Sequence, residues 1–150
     1  MHEFKFKKVR DVKSPQKGNQ TDAGIDFFIP NDYPWQTVVP GDSFLIPSGI
    51  IAEIPKGWMG VFLNKSGVAS KHNFIVGAQV IDSGYSGEIH LGVHYVGRKY
   101  LTTMDSPLVP GQKLCQLVLL PVPDISIVET SDLNHVGNRK DGGFGSTGNV

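Results

Sequence analysis

EIHLGVHY, residues 88–95, alternates without a break: Ile89, Leu91, Val93 and Tyr95 fall on one side, Glu88, His90, Gly92 and His94 on the other. Period two is the mark of a strand that shows a core one face and something else the opposite face. Working outward, similar short apolar runs recur: GIDFFIP (24–30), DSFLIPSGIIAEIP (42–55), WMGVFL (58–63), AQVID (78–82), KLCQLVLLPV (113–122) and DISIVET (124–130). Near the start, Phe4, Phe6 and Val9 stand among lysines at nearly the same period. Eighteen glycines and ten prolines are spread along the whole chain, so turns are frequent and the extended pieces short. This spacing predicts an all-β sandwich, jelly roll or small barrel, with no helix longer than a turn or two around 67–72. In KLCQLVLLPV, Leu114, Gln116, Val118 and Leu120 take one face and Cys115, Leu117 and Leu119 the other. Such a strand is expected to be covered on both sides, which in so small a domain suggests a subunit interface.

The chain has 150 residues, enough for one domain with a real core. Fourteen Lys and Arg balance fourteen Asp and Glu, so no overall field draws it to nucleic acid or a membrane, and any anion must be held locally. Cys115 has no cysteine to pair with, and MHEFKFKKVR has no apolar run of signal-peptide length. A reducing, cytoplasmic setting is expected, the host cytoplasm if the source is viral. No window has the length of a bilayer-spanning helix. The strand pattern lapses from Ser131, which predicts a β domain over 1–130 and a flexible arm over 131–150.

Polar segments interrupt the strands. DAGID (22–26) reads as a turn into a strand, its Asp side chains satisfying local amides. NKSGVASK (64–71) offers a lysine, a hydroxyl and free amides at a strand-to-helix transition, an anion site or simply a helix capped by Ser66. VGAQVIDSGYSGE (76–88) reads as a hairpin and a polar corner. Its Asp82, following Val80 and Ile81, is expected at the rim of the core, where a carboxylate could orient water or cap a turn. Tyr85 could lay a ring against a sugar or base, or simply pack. PGQKLCQL (110–117) places Gln116 among hydrophobes, and a buried amide needs partners at both ends, from backbone or ligand. His90 and His94 share a face but stand about 13 Å apart along a strand, too far for one ion within one chain. Cys115 reads as a core thiol. The tail RKDGGFGSTGNV (139–150) has the composition of a phosphate-binding loop without the strand and helix that a Walker loop requires.

Taken in order, DAGID, KSGVASK, VGAQVIDSGYSG, PGQKLCQL and R-x-x-GGFGSTG resemble the five motifs of the homotrimeric dUTPase family, from Asp22 to Gly148. The resemblance implies a jelly-roll-like β subunit, a homotrimer and active sites shared between subunits. It implies hydrolysis of dUTP to dUMP and pyrophosphate with Mg²⁺ carried on the phosphates, which limits uracil in DNA and supplies dUMP for dTMP synthesis. By the same resemblance Asp82 orients the attacking water. Ser66 and Gln116, with Lys65 and Gly67, face the phosphates. Tyr85 packs under the deoxyribose, and the backbone of Gly77, Ala78 and Gln79 reads uracil. Arg139, Gly145, Ser146 and Thr147 contact the outer phosphates, Phe144 covers the base, and Asp26 belongs to the first motif as a structural residue. Lys65 stands where the family usually has Arg, Gly84 where a second Asp is common, and Lys140 where the first glycine after Arg139 is usual. A dCTP deaminase shares the fold, but Gly92 stands where that group has its catalytic Glu. A nucleotide-gated regulatory binding module is the remaining alternative.

Overall fold

A computed structural model describes residues 3–134. Among them are nine strands and one short helix: β1 (Lys5–Lys8), β2 (Ile25–Phe28), β3 (Ser43–Pro47), β4 (Ile50–Glu53), β5 (Trp58–Asn64), α1 (Ser66–His72), β6 (Phe74–Val76), β7 (Val80–Asp82), β8 (His90–Tyr95) and β9 (Lys113–Pro121). All pairings are antiparallel, in a four-stranded sheet ordered β2-β9-β5-β7, a three-stranded sheet ordered β3-β8-β6 and a ribbon of β1 with β4. The alternating stretch at 88–95 becomes β8, central in its sheet, with Leu91, Val93 and Tyr95 buried. Their side chains join Phe27, Phe62, Cys115 and Leu117 of the larger sheet in one core. There the Phe27 and Phe62 rings meet edge-on with centroids 5.0 Å apart, an arrangement worth about 1 kcal/mol beyond the area it buries.

β9 lies between β2 and β5, and Leu114, Cys115 and Leu117 are buried, while Leu120 at its far end is exposed. The 42–55 run divides into β3 and β4 at Ser48 and Gly49. Gly49 has φ 73°, and a side chain there would stand 2.9 Å from both Arg10 Cβ and Val12 Cγ1. Both backbone and space therefore require glycine. Among the described residues no helix is long and apolar enough to cross a membrane.

Two sequence expectations fail here. Residues 76–88 do not begin with a hairpin: β6 pairs with β8 and β7 with β5, so the connection 77–79 crosses from one sheet to the other. Gly77 N–H donates to Gly92 O at 2.9 Å and Phe62 N–H to Gln79 O at 2.8 Å, one bond to each sheet. Residues 124–130 form no strand. Ile125, Ile127 and Val128 are exposed, and among the described residues the last backbone–backbone bond of this region runs from Val122 N–H to Gly57 O at 2.8 Å. Alternation reports what a strand would bury, and it cannot report whether a neighbouring strand exists to pair with it. β6, three residues long, is too short for a periodicity to reveal it.

Candidate active site

Asp26 is the most deeply buried charge in the described structure. Its side chain is 4 % exposed, with Oδ2 accepting from Lys113 Nζ at 2.8 Å and Oδ1 accepting from Lys65 Nζ. Burial pushes this carboxyl up, but the two lysines, Lys113 first, outweigh burial and hold it below the usual carboxylate range. The local-amide reading of DAGID therefore holds for Asp22, whose Oδ2 accepts from Asn19 N–H at 2.8 Å, and fails for Asp26. It also means that the Lys65 ammonium is engaged inside its own chain. Lys113, which sequence reasoning passed over as one cation in a strand, completes the cluster.

Beside this cluster, across the β2–β9 ladder, Asp26 is in register with Gln116. Gln116 Nε2 donates to Asn64 O at 2.9 Å, and its Oε1 would stand 2.1 Å from a Cβ at Gly24. Only glycine at 24 lets the amide lie there. Asn64, also missed, has a second task, its Oδ1 accepting from Val76 N–H at 2.7 Å. Replacing Asp26 by Asn is expected to cost about 1–3 kcal/mol at neutral pH, because a buried acceptor of two ammonium groups is lost. The sign with pH follows from the lowered value. The stabilisation is present above the unfolded carboxylate value near pH 4 and lost as pH falls through the folded one. Urea unfolding at pH 7 and pH 3 measures both, and an equal loss at the two pH values would assign Asp26 to packing alone.

β5 runs one residue beyond the expected strand, to Asn64, so Lys65 occupies the helix N-cap in extended conformation and makes no side-chain cap. The capping reading of Ser66 is thereby overturned: Ser66 is the first residue of α1, and its carbonyl accepts from Ser70 Oγ at 2.6 Å. Ser66 and Gly67 are exposed, and a Cβ at Gly67 would meet nothing within 4 Å. A ligand could therefore come close to this backbone.

In the 76–88 segment, Ala78 is exposed, and its amide and carbonyl make no backbone hydrogen bond among the described residues, unlike Gly77 N–H and Gln79 O on either side. Asp82 ends the edge strand β7 opposite Met59 and is exposed, further out than the core rim expected for it. It borders an open cleft with Lys56, Trp58, Met59 and Pro123. Tyr85 N–H closes a turn onto Asp82 O at 3.0 Å, and Tyr85 OH donates to Glu88 O at 2.7 Å. Glu88 in turn accepts from Arg10 Nε at 2.7 Å, Arg10 Nη2 at 3.2 Å and Gly49 N–H at 2.9 Å. The Arg10 hydrogen bond holds the Glu88 carboxyl below its ordinary range. The hydroxyl of Tyr85 is thus held by the Glu88 backbone, while the Glu88 side chain is held by a fork that joins residues 78 positions apart, a separation at which sequence carries no local signal.

Two further placements bear on the chemistry. Among the described residues no group of three or more His, Cys, Asp or Glu could hold a metal ion. A Cβ at Gly92 would stand 3.2 Å from both Ala78 N and Ala78 Cβ, so a carboxylate-bearing side chain there fits only if the 77–79 connection gives way. That argues against deaminase chemistry at this position.

The geometry divides the expected site residues into two groups. Asp82 pairs with Met59 and Gln116 with Leu63, so both lie on one face of the larger sheet, four strand residues and about 13 Å apart. Ser66 comes two residues after Asn64, the last residue of β5, and Met59, which Asp82 faces, is five strand residues, about 17 Å, before Asn64. Between the groups the same face carries Val61, Val80 and Val118, with Val80 58 % exposed. Arg139, Lys140, Phe144, Gly145, Ser146 and Thr147, and most of the 131–150 arm, lie outside the described residues.

The family model for dUTPase matches residues 10–148. Among characterised relatives, the deoxyuridine 5'-triphosphate nucleotidohydrolase of Escherichia phage T5 is 34 % identical over 150 residues, covering 97 % of this chain and 98 % of that protein. The protein of the same name from Gloeobacter violaceus is 35 % identical, covering 89 % of this chain and 88 % of its own. Among solved structures, a mutant dUTPase of Staphylococcus bacteriophage 80alpha with dUpNHpp superposes with a TM-score of 0.83 at 21 % identity, each chain covered to 99 %. A mutant dUTPase from phage phi11 of S. aureus, described as coordinating a structural Mg(II) ion, gives 0.73 at 22 % identity, covering 89 % of this chain and 100 % of that one. With the β jelly-roll-like fold, the crossing 77–79 connection and the ordered motifs in place, the chain belongs to the dUTPase family.

Proposed function

We propose that this protein hydrolyses dUTP to dUMP and pyrophosphate, in sites that each take Asp82 from one subunit of a homotrimer and Ser66 and Gln116 from another. The observation that carries the reading is the separation just described. A water-orienting carboxylate and a hydroxyl near the scissile bond must both stand within a few Å of one phosphorus, whereas Asp82 sits beside Met59 near the start of β5 and Ser66 lies past its other end, about 17 Å of strand away. The exposed apolar face between them, with Val80, Leu63 and Leu120, is the kind of surface a second subunit covers.

Asp82 accepts a proton from, and aims, the water that attacks the α-phosphorus, and no covalent intermediate forms. Its exposure leaves the carboxylate free for that water. Tyr85, its hydroxyl donating to the Glu88 carbonyl, forms a flat wall for the deoxyribose on which a 2′-hydroxyl would collide. The unpaired N–H and C=O of Ala78, set between Gly77 and Gln79, offer one donor and one acceptor to the edge of uracil. Ser66, Gly67 and Gln116 receive the phosphates. Lys65, engaged with Asp26, acts there as the positive end of a structural pair, its charge felt by the phosphates from behind the hydroxyl. Arg139, Phe144, Gly145, Ser146 and Thr147 close the site over the outer phosphates and the base.

Mg²⁺ carried on the phosphates would supply neutralisation of the charge that builds on the leaving pyrophosphate. Such an ion would keep several of its waters and be held mainly by the phosphates, with no direct protein ligand required of the described residues. A cytoplasmic setting completes the reading, since a single buried thiol suits a reducing compartment.

The test is a substrate panel with Mg²⁺. Pyrophosphate release from dUTP, with little from dTTP, dCTP or UTP, is expected. Ammonia release from dCTP would instead make it a deaminase, and nucleotide binding without turnover a regulatory module.

A further inference from the structure

We propose that His94, assigned no part in the reaction above, is a positioning residue for base recognition, with Ser43 as the group that orients it. The inference rests on the reading of Ala78 as the base-contacting residue. The 77–79 connection lies across the outer face of the three-stranded sheet, over the two β8 residues that point outward there, Gly92 and His94. Gly92 O accepts from Gly77 N–H at 2.9 Å, and the missing side chain of Gly92 makes room for Ala78. His94 supplies the other half of the support. A Cβ at Gly77 would stand 2.2 Å from His94 Nε2 and 2.7 Å from Cδ2, so the imidazole edge lies directly against the Gly77 backbone.

The ring is itself held. His94 Nδ1 and Ser43 Oγ are 2.7 Å apart, a hydrogen bond across the β3–β8 ladder, where the two residues are in register. Ile75, the register partner on the other side, flanks the ring from β6. Gln79 is tied down at the far end of the connection by Phe62 N–H. Among the described residues Ala78 is therefore the one residue of the connection with both amide and carbonyl left for a ligand, and its orientation depends on what stands beneath Gly77. A ring held at Nδ1 by Ser43 and set with its other edge against Gly77 supports that peptide from beneath. A small side chain at 94 would let it settle toward the sheet, and donor and acceptor would no longer meet the base together. Glycine at 77 and histidine at 94 are thus a matched pair: a side chain at either place excludes a larger one at the other.

The role predicts a loss in binding of the correct base with the chemical step preserved, because His94 touches neither Asp82 nor the phosphates. His94→Ala is expected to raise KM for dUTP about tenfold, with kcat within about twofold, and to reduce the preference for dUTP over dCTP by a similar factor. His94→Gln, whose amide can reach the place of Nε2, should recover most of the loss. Ser43→Ala, which leaves the ring in place but free to turn, should shift KM in the same direction by less. Thermal unfolding and oligomeric state are measured alongside. Unchanged KM and discrimination in His94→Ala would overturn the proposal. So would a loss confined to stability, or equal losses in kcat and KM that Gln does not recover. The underlying reading of Ala78 fails separately, if the wild-type protein itself does not distinguish dUTP from dCTP.

Discussion

Asp82→Asn is expected to lower kcat by about 10²–10⁴-fold while leaving the affinity for a non-hydrolysable dUTP analogue within a few-fold of wild type. Asn has the size of Asp and keeps one oxygen that can accept from water, but it cannot take the proton. The site around it favours a clean result. Asp82 is exposed, ends an edge strand, and takes no part in a salt bridge among the described residues. Its backbone carbonyl, which accepts from Tyr85 N–H, is unchanged by the substitution. The fold therefore loses little, and the loss is read in the chemical step. Pre-steady-state turnover and analogue titration measure the two quantities independently. If the analogue no longer bound, Asp82 would be a substrate-binding or structural group, and the water would need another base.

What could be read in the chain and what could not divides along physical lines. β8 and β9 were legible because alternation over six or more residues reports directly on two faces. DISIVET carries the same signal and forms no strand among the described residues, since alternation marks a face to bury while pairing depends on a neighbour that the run itself does not specify. The crossing at 77–79 was hidden because two short apolar runs separated by a turn look like a hairpin whether they pair with each other or with different sheets. Its cause lies in Gly92, a residue whose missing side chain matters only once Ala78 is above it. The expected site residues were found through the ordered motifs. Their division between chemistry and support needed coordinates: Lys65 turned inward to Asp26, and Lys113, Asn64, Arg10 and Glu88 became visible only through partners far away in sequence.

The proposed division of the site between subunits predicts a restoration. Ser66→Ala removes a donor to charge that develops at the phosphates, and is expected to lower kcat by about 10²-fold. Asp82→Asn alone is at least as damaged. When the two inactive variants are unfolded together in equal amounts and refolded, the proposed trimer would assemble with mixed subunits. A site that takes Asp82 from one subunit and Ser66 from the next is intact if the first subunit is the Ser66 variant and the second the Asp82 variant. Each condition holds for half of the positions, so about a quarter of the sites and of wild-type activity should return. A site built within one subunit always contains one damaged group, and mixing then restores nothing. The two outcomes differ by more than tenfold, which no plausible error in protein concentration can bridge. Restoration near a quarter would also fix what the apolar face carrying Val61, Val80 and Val118 is for: it keeps Asp82 and Gln116 of one chain apart while bringing each beside its counterpart on the next.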